Sequence, residues 1–383
     1  NSRLYIKNRC RAIIQKNAKL DMGKYSQIFL QKFSEYSGNG GIMIWENQSK
    51  VNMGISSEIE VDDGCVLHNK GAVFSNSTGA VVEIKSGGTL IIEDNVSLVF
   101  DGWNSGLITN QNSVISLGTN AKIIFKNGAY LNASGSTFSG IDHTIWQGIE
   151  FINASSKSVI DNCTFQDVIL PIKIDNNQSS ASDEKWITNN KFYLASNGTY
   201  GIYAKNILRL KLQDNNFYLT PTSNGVRINN YYDVIPPIGD EIEYNLNIKD
   251  NDFYNGYVDL LLANYTSSFV PYEIIGNKFY NNTYIPILGR MISGNIKNNE
   301  GINNTSQRAF HFTQSNVYLY GNTNFQANNG MYAGDAAINL SPVISQQGLI
   351  GYGGRNKISA TIYDVLSFDN SSVSLNNGEN YFY

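Results

Sequence analysis

The chain has 383 residues, of which 42% are hydrophobic and only 16% are charged. That charged share is below the roughly 25% typical of soluble domains, and Asn, Ser, Gly and Tyr take its place. The net charge of −4 excludes a uniformly basic, nucleic-acid-binding surface. No run of about 18 apolar residues is present, so the sequence predicts no transmembrane helix.

The first 41 residues differ from the rest in charge and in apolar spacing. Residues 1–36 carry a net charge of +6, which leaves −10 for the remainder. Five apolar side chains recur at the spacing of one helical face, namely Tyr25, Ile28, Phe29, Phe33 and Tyr36. We predict that residues 1–41 form a helical, basic leader that caps the N-terminal end of the next domain. A linker or a solvated charged face is the alternative.

From residue 42 onward the apolar pattern changes to strand-like alternation. Short runs such as Glu58–Val61, Ala80–Ile84 and Thr89–Ile92 are separated by Gly or Asn turns. Runs this short leave no room for the crossover helices of βαβ units. We therefore predict one all-β domain at residues 42–383, which could belong to a longer chain.

The strongest signal is a repeat in which Asn is followed, after one or two intervening residues, by Phe. From Phe165 to Phe279 the successive steps are 27, 25, 36 and 26 residues, and the long step contains a loop insertion at residues 233–239. The Phe positions expected to stack are Phe138, Phe165, Phe192, Phe217, Phe253, Phe279 and Phe325. A step near 25 residues fits one coil of three short strands, which cannot bury its apolar face alone. The sequence predicts a right-handed parallel β-helix.

A family resemblance rests on two segments beside these coils. The Gly-rich stretch at residues 127–138 is followed by Thr-Ile-Trp-Gln-Gly-Ile-Glu at residues 144–150. These residues resemble secreted right-handed β-helix proteins of Bacteroidetes-type bacteria. The resemblance implies secretion or surface display, often by the type IX route, and roles in adhesion, gliding or glycan handling. It also implies contact with surface polysaccharide and with outer-membrane secretion or attachment machinery.

Paired carboxylates are the signal for catalysis, because lyases, hydrolases and epimerases also use this scaffold and a glycosidase needs two carboxylates about 5–10 Å apart. The candidate catalytic residues are Asp214, Asp250, Asp252, Asp142 and His143. Asp250 and Asp252 have suitable spacing, and Asp214 is expected beneath Asp250 in the neighbouring coil. Asn189 and Gly276 occupy the same repeat position, however, which favours a turn role for these carboxylates.

Exposed aromatic residues are the signal for sugar binding. The candidates are Trp146, Tyr231, Tyr232, Tyr254 and Tyr280, with packing against the turn at Gly148 as the alternative for Trp146. Acidic clusters at residues 183–184 and 240–243 could bind Ca²⁺, and no other cofactor is expected. We predict a non-enzymatic secreted or cell-surface protein that is an adhesin, a structural component or a glycan-binding module. A polysaccharide-active enzyme is the alternative.

Overall fold

The computed structural model shows a chain built almost entirely of short strands. It describes residues 50–154, 156–177, 184–207, 209–231, 245–265 and 270–334, together with short segments nearer the two ends. The strands divide into two compact units, Asn1–Ala195 and Ser196–Tyr383. Among the described residues the one helical element is a single 3-10 turn, Ile141–His143, and no helix has the length and apolar character to cross a bilayer.

Unit 1 contains β1 (Arg3–Ile6), β2 (Arg11–Ile14), β3 (Lys19–Met22), β4 (Gln27–Leu30), β5 (Glu35–Gly38), β6 (Ile42–Trp45), β7 (Lys50–Met53), β8 (Glu58–Val61), β9 (Val66–Asn69), β10 (Val73–Asn76), β11 (Val81–Ile84), β12 (Thr89–Ile92), β13 (Ser97–Asp101), β14 (Gly106–Thr109), β15 (Val114–Leu117), β16 (Lys122–Lys126), β17 (Tyr130–Ser134), β18 (Thr137–Gly140), β19 (Gly148–Ile152), β20 (Ser158–Asp161), β21 (Thr164–Val168), β22 (Ile172–Asp175), β23 (Glu184–Thr188) and β24 (Lys191–Leu194).

Unit 2 contains β25 (Tyr200–Lys205), β26 (Arg209–Gln213), β27 (Asn216–Tyr218), β28 (Asn224–Asn230), β29 (Asn245–Lys249), β30 (Asp252–Tyr254), β31 (Val258–Asn264), β32 (Val270–Ile275), β33 (Lys278–Tyr280), β34 (Ile285–Arg290), β35 (Ile292–Lys297), β36 (Glu300–Ile302), β37 (Ser306–Thr313), β38 (Asn316–Tyr320), β39 (Phe325–Gly334), β40 (Ala337–Asn339), β41 (Lys357–Phe368), β42 (Ser372–Ser374) and β43 (Tyr381–Phe382).

In both units a strand pairs in parallel with the equivalent strand of the next coil. The first sheet of unit 1 runs β2-β5-β8-β11-β14-β17-β20-β23, the second β3-β6-β9-β12-β15-β18-β21-β24, and the third β1-β4-β7-β10 followed by β13-β16-β19-β22. In unit 2 the first sheet runs β26-β29-β32-β35-β38-β40-β42, the second β27-β30-β33-β36, and the third β25-β28-β31-β34-β37-β39-β41-β43. Each unit is therefore a parallel β-solenoid, which confirms the predicted fold class.

The interior is filled by columns of identical side chains. In unit 1 the ring centroids of Phe138, Phe165 and Phe192 follow one another at 4.9 and 5.0 Å. The corresponding column of unit 2 contains Phe217, Phe253 and Phe279, with steps of 4.9 and 5.4 Å. Phe325 belongs to β39 of the third sheet and approaches Phe279 at 6.0 Å with its ring tilted by 44°. All seven are at most 1% exposed. The predicted Phe stack is confirmed from Phe138 to Phe192 and from Phe217 to Phe279, because parallel strands about 4.8 Å apart hold equal positions at stacking distance. The prediction is wrong for Phe325, because Gly301 occupies the register position that follows Phe279.

A second column runs beside the Phe rings of unit 2 and consists of buried Asn amides. Asn215, Asn251, Asn277 and Asn299 each donate a side-chain N–H to the side-chain oxygen of the next, at 2.9–3.0 Å, and the column ends at Asn322. The steps are 36, 26, 22 and 23 residues. The coil length inferred from the sequence is confirmed, including the long step, whose predicted insertion at residues 233–239 lies outside the described part of the chain.

The predicted helix at residues 1–41 is wrong where the structure describes that region. Strands β1 to β5 lie there, and Ile28 of β4 is in register with Val51 of β7. Ile28 and Tyr36 are in register with Val51 and Ile59, which are buried in later coils, so apolar residues at helical spacing also arise from successive short strands. Tyr25 and Phe33 of that pattern lie outside the described residues.

Candidate functional site

Asp214 and Asp250 lie at the turn between the first and second sheets of unit 2. Their φ angles are 56° and 54°, a left-handed conformation that Asp and Asn tolerate better than most residues. Asn189 and Gly276 adopt the same conformation at equivalent positions, with φ of 58° and 70°. The position selects for backbone conformation, which supports a turn role for both carboxylates.

Asp252 faces outward on β30, next to the inward Phe253. The Tyr254 hydroxyl donates to its Oδ2 at 3.2 Å. Partial burial raises the pKa of Asp252, while the Tyr254 hydrogen bond and the charge of Lys278 oppose that rise. Asp250 and Asp252 thus belong to a turn and a strand with separate partners, and their use as a catalytic pair stays a prediction.

Asp142 and His143 form part of the 3-10 turn in unit 1. The imidazole of His143 is 89% exposed, and its Nδ1 lies 3.3 Å from Oδ2 of Asp167. The carboxylate that the fold brings to this ring therefore comes from the next coil and not from Asp142.

Trp146 is completely buried in unit 1, and its indole Nε1 donates to the backbone oxygen of Gln166 at 2.7 Å. A ring with no exposed face cannot stack on a sugar. The prediction of a sugar platform is wrong for this residue, and its packing role is confirmed.

Stacked tyrosines cover the outside of unit 2. The three ladders are Tyr218–Tyr254–Tyr280, Tyr231–Tyr265 and Tyr257–Tyr284, with neighbouring ring centroids 4.5–4.9 Å apart. The spacing of parallel strands, about 4.8 Å, produces this distance directly. Three of the predicted sugar-binding tyrosines, Tyr231, Tyr254 and Tyr280, belong to ladders, and Tyr232 lies outside the described residues.

Two of these ladders border the outer surface of the third sheet in unit 2. Tyr257 and Tyr284 immediately precede β31 and β34, and Tyr231 and Tyr265 immediately follow β28 and β31. We call the surface between them the tyrosine–arginine face. Its members are Tyr200, Tyr203, Arg227, Tyr231, Tyr257, Leu261, Tyr265, Tyr284, Leu288, Arg290, Arg308, His311 and Tyr332.

One row of side chains crosses six strands of this face. In register order it comprises Tyr203, Arg227, Leu261, Leu288, His311 and Tyr332. At about 4.8 Å per strand, five steps make the row about 24 Å long. Tyr203 and Arg227 occupy one end, His311 and Tyr332 the other, and two leucines the middle, so the row offers a long contact surface for an extended ligand.

Arg227 is fixed in place by its neighbours. Its Nη1 donates to the Tyr200 hydroxyl at 2.7 Å. With the Asn229 amide oriented to accept, Nε and Nη2 of Arg227 lie 3.0 and 3.2 Å from the Asn229 side-chain oxygen. The Arg227 guanidinium carbon lies 5.6 and 5.8 Å from the ring centroids of Tyr200 and Tyr203. A permanent positive charge is therefore held at a defined point of the surface.

Two further guanidinium groups rest on tyrosine rings. The Arg290 guanidinium carbon is 5.2 Å from the Tyr265 ring centroid, and that of Arg308 is 4.4 Å from the Tyr332 centroid. Arg308 Nη1 also lies 2.7 Å from His311 Nδ1. Burial, with a contribution from the Arg308 charge, lowers the pKa of His311 to about 4. At neutral pH the imidazole is therefore uncharged and accepts the Arg308 hydrogen bond.

The charge on this face is unbalanced. Its strands β25, β28, β31, β34, β37 and β39 contain four basic residues, Lys205, Arg227, Arg290 and Arg308. Their one carboxylate, Asp259, is 0% exposed. Within the described parts of the chain, no carboxylate forms a salt bridge with any of the three arginines, and the ionisable neighbours of Arg227 are all tyrosines. The surface is suited to an anionic partner.

The third sheet of unit 1 shows the opposite arrangement. Lys173 Nζ lies 2.6 Å from Glu150 Oε1 and 3.5 Å from Asp175 Oδ2, and Lys122 Nζ lies 3.9 Å from Glu150 Oε2. Lys122 and Lys173 are therefore compensated by carboxylates of their own or a neighbouring strand, unlike the three arginines of the tyrosine–arginine face.

The acidic clusters considered for Ca²⁺ are only partly described. Glu184 accepts a hydrogen bond from Trp186 Nε1 at 2.7 Å and lies 3.6 Å from Lys157 Nζ. Asp183 and residues 240–243 lie outside the described residues. A carboxylate with two such partners is already engaged, so nothing at Glu184 favours a metal site.

Sequence reasoning missed most of the tyrosine–arginine face. Arg290 and Arg308 come from different coils, and nothing in their local sequence marks them. Tyr265 had a usable signal, because Asn230-Tyr231 and Asn264-Tyr265 are a repeated Asn-Tyr pair that ends equivalent strands. Comparison of the chain with protein-family models, with curated proteins and with solved structures found no match.

Proposed function

We propose that this chain is a non-enzymatic, carbohydrate-binding β-solenoid whose tyrosine–arginine face holds an acidic polysaccharide. The observation that carries the proposal is the group of arginines, Arg227, Arg290 and Arg308, set among tyrosine rings and lacking carboxylate partners in the described structure. Guanidinium groups pair with carboxylate or sulfate through two parallel hydrogen bonds. Phenol rings stack on the apolar faces of sugar rings.

The layout of the face supports a polymer as ligand. Each border carries one pair of stacked tyrosine rings, 4.7 and 4.5 Å apart, so two successive coils offer an equivalent contact on each side. Arg227 is held by Tyr200 before any ligand arrives. A pre-arranged surface loses less side-chain entropy on binding than a flexible one.

Catalysis on a polysaccharide is the alternative, and the described geometry favours binding over it. Asp214 and Asp250 have turn conformations. His311 is the one imidazole on the face, and burial lowers its pKa to about 4. General-base catalysis is most efficient when the pKa lies near the working pH, so His311 is a weak base at neutral pH.

We place this activity outside the cell, in a secreted or surface-displayed adhesin or matrix component. The support is the resemblance of the repeats to secreted β-helix proteins of Bacteroidetes-type bacteria, and export by the type IX route is part of the same proposal. Protease treatment of intact host cells should remove the protein. Its protection until the cells are lysed would contradict the extracellular assignment.

The test of binding compares two variants with equal loss of charge. Polygalacturonate, alginate, dextran sulfate and double-stranded DNA are titrated into the protein and followed by calorimetry. We expect Arg227→Gln/Arg290→Gln to weaken polysaccharide binding by at least about tenfold, because each charge-assisted pair is strong. Uronate binding with little dextran sulfate binding would identify carboxylate as the preferred anion, and the converse would identify sulfate.

The control double variant is Lys191→Gln/Lys278→Gln. Both lysines are exposed. Lys191 lies on the second sheet of unit 1 and Lys278 on the second sheet of unit 2, so neither belongs to the strands of the tyrosine–arginine face. Equal loss in the two double variants, or tighter binding of DNA than of every polysaccharide, would refute the proposal. Release of unsaturated uronates or new reducing ends during the titration would establish an enzyme instead.

A further inference from the structure

A recess lies in unit 1, on the outer side of its first sheet. Its volume is about 610 Å³, within the range of roughly 300–1,000 Å³ found for small-ligand sites. The side chains that matter here are Trp103, Asn104, Tyr130, Asn132, Ser156 and Lys157. We call this recess the Trp103 groove.

Both aromatic rings of the groove pack onto glycine backbone. A Cβ atom at Gly128 would lie 2.7 Å from Cε3 of Trp103, and one at Gly106 would lie 2.9 Å from Cε1 and Cζ of Tyr130. A side chain at either position would push the ring away. Trp103 is nevertheless 55% exposed, so one part of the indole is held by the protein while another part remains open to a ligand.

The far wall of the groove is anchored from inside the solenoid. The Ser156 hydroxyl donates to the backbone oxygen of Gly128. The Lys185 ammonium, 1% exposed, donates to the backbone oxygens of Ala154 and Ser156 at 2.9 Å each. A buried cation is costly unless it is well hydrogen-bonded, so this arrangement fixes the segment that carries Ser156 and Lys157.

The groove differs from the tyrosine–arginine face in charge. The Lys157 ammonium lies 3.6 Å from Glu184 Oε2 and 3.1 Å from the Trp186 ring centroid, so its charge is compensated. Tyr130 has an elevated pKa, mainly from burial and also from the nearby charges of Glu58 and Glu83. Carboxylates therefore adjoin the groove, and an anionic ligand would be repelled.

We propose that the Trp103 groove binds a neutral saccharide, as a second site with a different ligand from that of unit 2. An exposed indole and a phenol ring provide stacking surfaces. Asn104, Asn132 and Ser156 provide amide and hydroxyl groups at hydrogen-bonding positions around them. This combination matches a sugar that has apolar ring faces and many hydroxyls but no charge.

The experiment uses the full chain and neutral hexasaccharides of glucose, mannose, xylose and galactose, with hexagalacturonate as the charged counterpart. Binding is measured by calorimetry. At least one neutral hexasaccharide should bind, and Trp103→Ala should weaken it by at least about tenfold, since loss of a stacking ring removes a main contact. Hexagalacturonate binding should be unchanged in that variant.

A second variant tests whether the contact between Gly128 and Trp103 positions the indole, without removing the indole itself. Gly128→Ala places a methyl group against Trp103 and should weaken neutral-sugar binding. The matched control is Gly135→Ala, because both glycines have positive φ, 86° and 61°. Its added carbon would meet Gln111 at 3.0 Å, away from Trp103. Both variants carry similar backbone strain, so a difference in neutral-sugar binding between them reports the displacement of the indole.

The two binding proposals can be refuted independently of each other. If Trp103→Ala binds neutral sugars like the parent chain, or if no neutral hexasaccharide binds, the second site is refuted while the tyrosine–arginine face is untouched. Binding of hexagalacturonate that is lost in Trp103→Ala would also refute it. Loss of acidic-polymer binding in Arg227→Gln/Arg290→Gln, with neutral-sugar binding kept, shows that the two proposals concern different ligands.

Discussion

Asp259 is a buried carboxylic acid whose ionisation is altered by its surroundings. It is 0% exposed in unit 2. Its Oδ2 accepts from Asn282 Nδ2 at 2.8 Å, while its Oδ1 has no hydrogen-bond partner in the described structure. Burial raises the pKa of Asp259 to about 8, and the Asn282 hydrogen bond only partly offsets this. The carboxyl group is therefore protonated at neutral pH.

This protonation makes stability depend on pH. Between the unperturbed value of 3.8 and about 8, the folded chain keeps a proton that the unfolded chain releases. Stability should therefore fall as pH rises through this window, by at most about 1.4 kcal/mol per pH unit from this residue. Asp259→Asn imitates the neutral acid, so its stability advantage over the parent chain should grow from pH 4 to pH 8.

Urea unfolding at several pH values measures that advantage. Asp214→Asn serves as control, because Asp214 is exposed and shares its turn position with Asn189. The growth of the stability advantage with pH should appear in Asp259→Asn and not in this exposed control. Parallel pH profiles for Asp259→Asn and the parent chain would show that Asp259 is ionised in the folded state.

At the scale of elements, the buried Asn column holds neighbouring coils of unit 2 in register. Asn277 donates from Nδ2 to Ile248 O and Asn299 Oδ1, at 2.9 and 3.0 Å. Its own Oδ1 accepts from the backbone and side-chain N–H groups of Asn251, at 3.1 and 2.9 Å. The Asn277 side chain thus satisfies buried polar groups of both neighbouring coils and links three successive coils.

Asn277→Leu should lower the free energy of unfolding by roughly 2–5 kcal/mol, because each buried group left without a partner costs about 1–3 kcal/mol. Chemical denaturation measures the loss. Asn281→Gly is the matched control, since it keeps the left-handed φ of 54° and removes only the exposed 3.1 Å bond to Asn255. A similar loss in both variants would mean that burial of the amide column adds nothing to stability.

The same elements explain which sequence predictions held. The Phe column was predictable because Phe165 and Phe192 must occupy equal positions in successive coils. The structure divides two roles between neighbouring residues of this repeat, namely the left-handed turn and the side-chain bond between coils. Asp250 and Gly276 adopt the left-handed turn, while Asn251 and Asn277 behind them form the ladder.

For the whole molecule, the overall charge hides a local one. The chain carries −4 in total, yet the tyrosine–arginine face of unit 2 presents arginines without carboxylate partners in the described structure. In unit 1, the Trp103 groove has a compensated lysine and adjacent carboxylates. The net charge of the chain therefore does not predict the local charge of either surface.

The difference in charge between the two surfaces predicts that their ligand binding responds differently to salt. Acidic-polysaccharide binding should weaken steadily as NaCl rises from about 50 mM to about 500 mM, because screening shortens the reach of surface charges. Neutral-hexasaccharide binding should stay constant. Calorimetric titrations along the salt series measure both, and Arg227→Gln/Arg290→Gln should flatten the first dependence. A steep dependence that survives in this double variant would place the anion contacts elsewhere on the chain.

By itself the sequence determined the repeat length, the strand alternation and the Phe column, because a solenoid must place similar residues at equal positions in every coil. Only the tertiary structure decided which residues share a surface. Tyr231 and Tyr265 meet at 4.7 Å although a whole coil separates them, and Trp103 opens outward while Trp146 is buried. The reason is physical: coil lengths vary from 22 to 36 residues. Lateral neighbours therefore depend on the register of strand pairing, which local sequence does not specify.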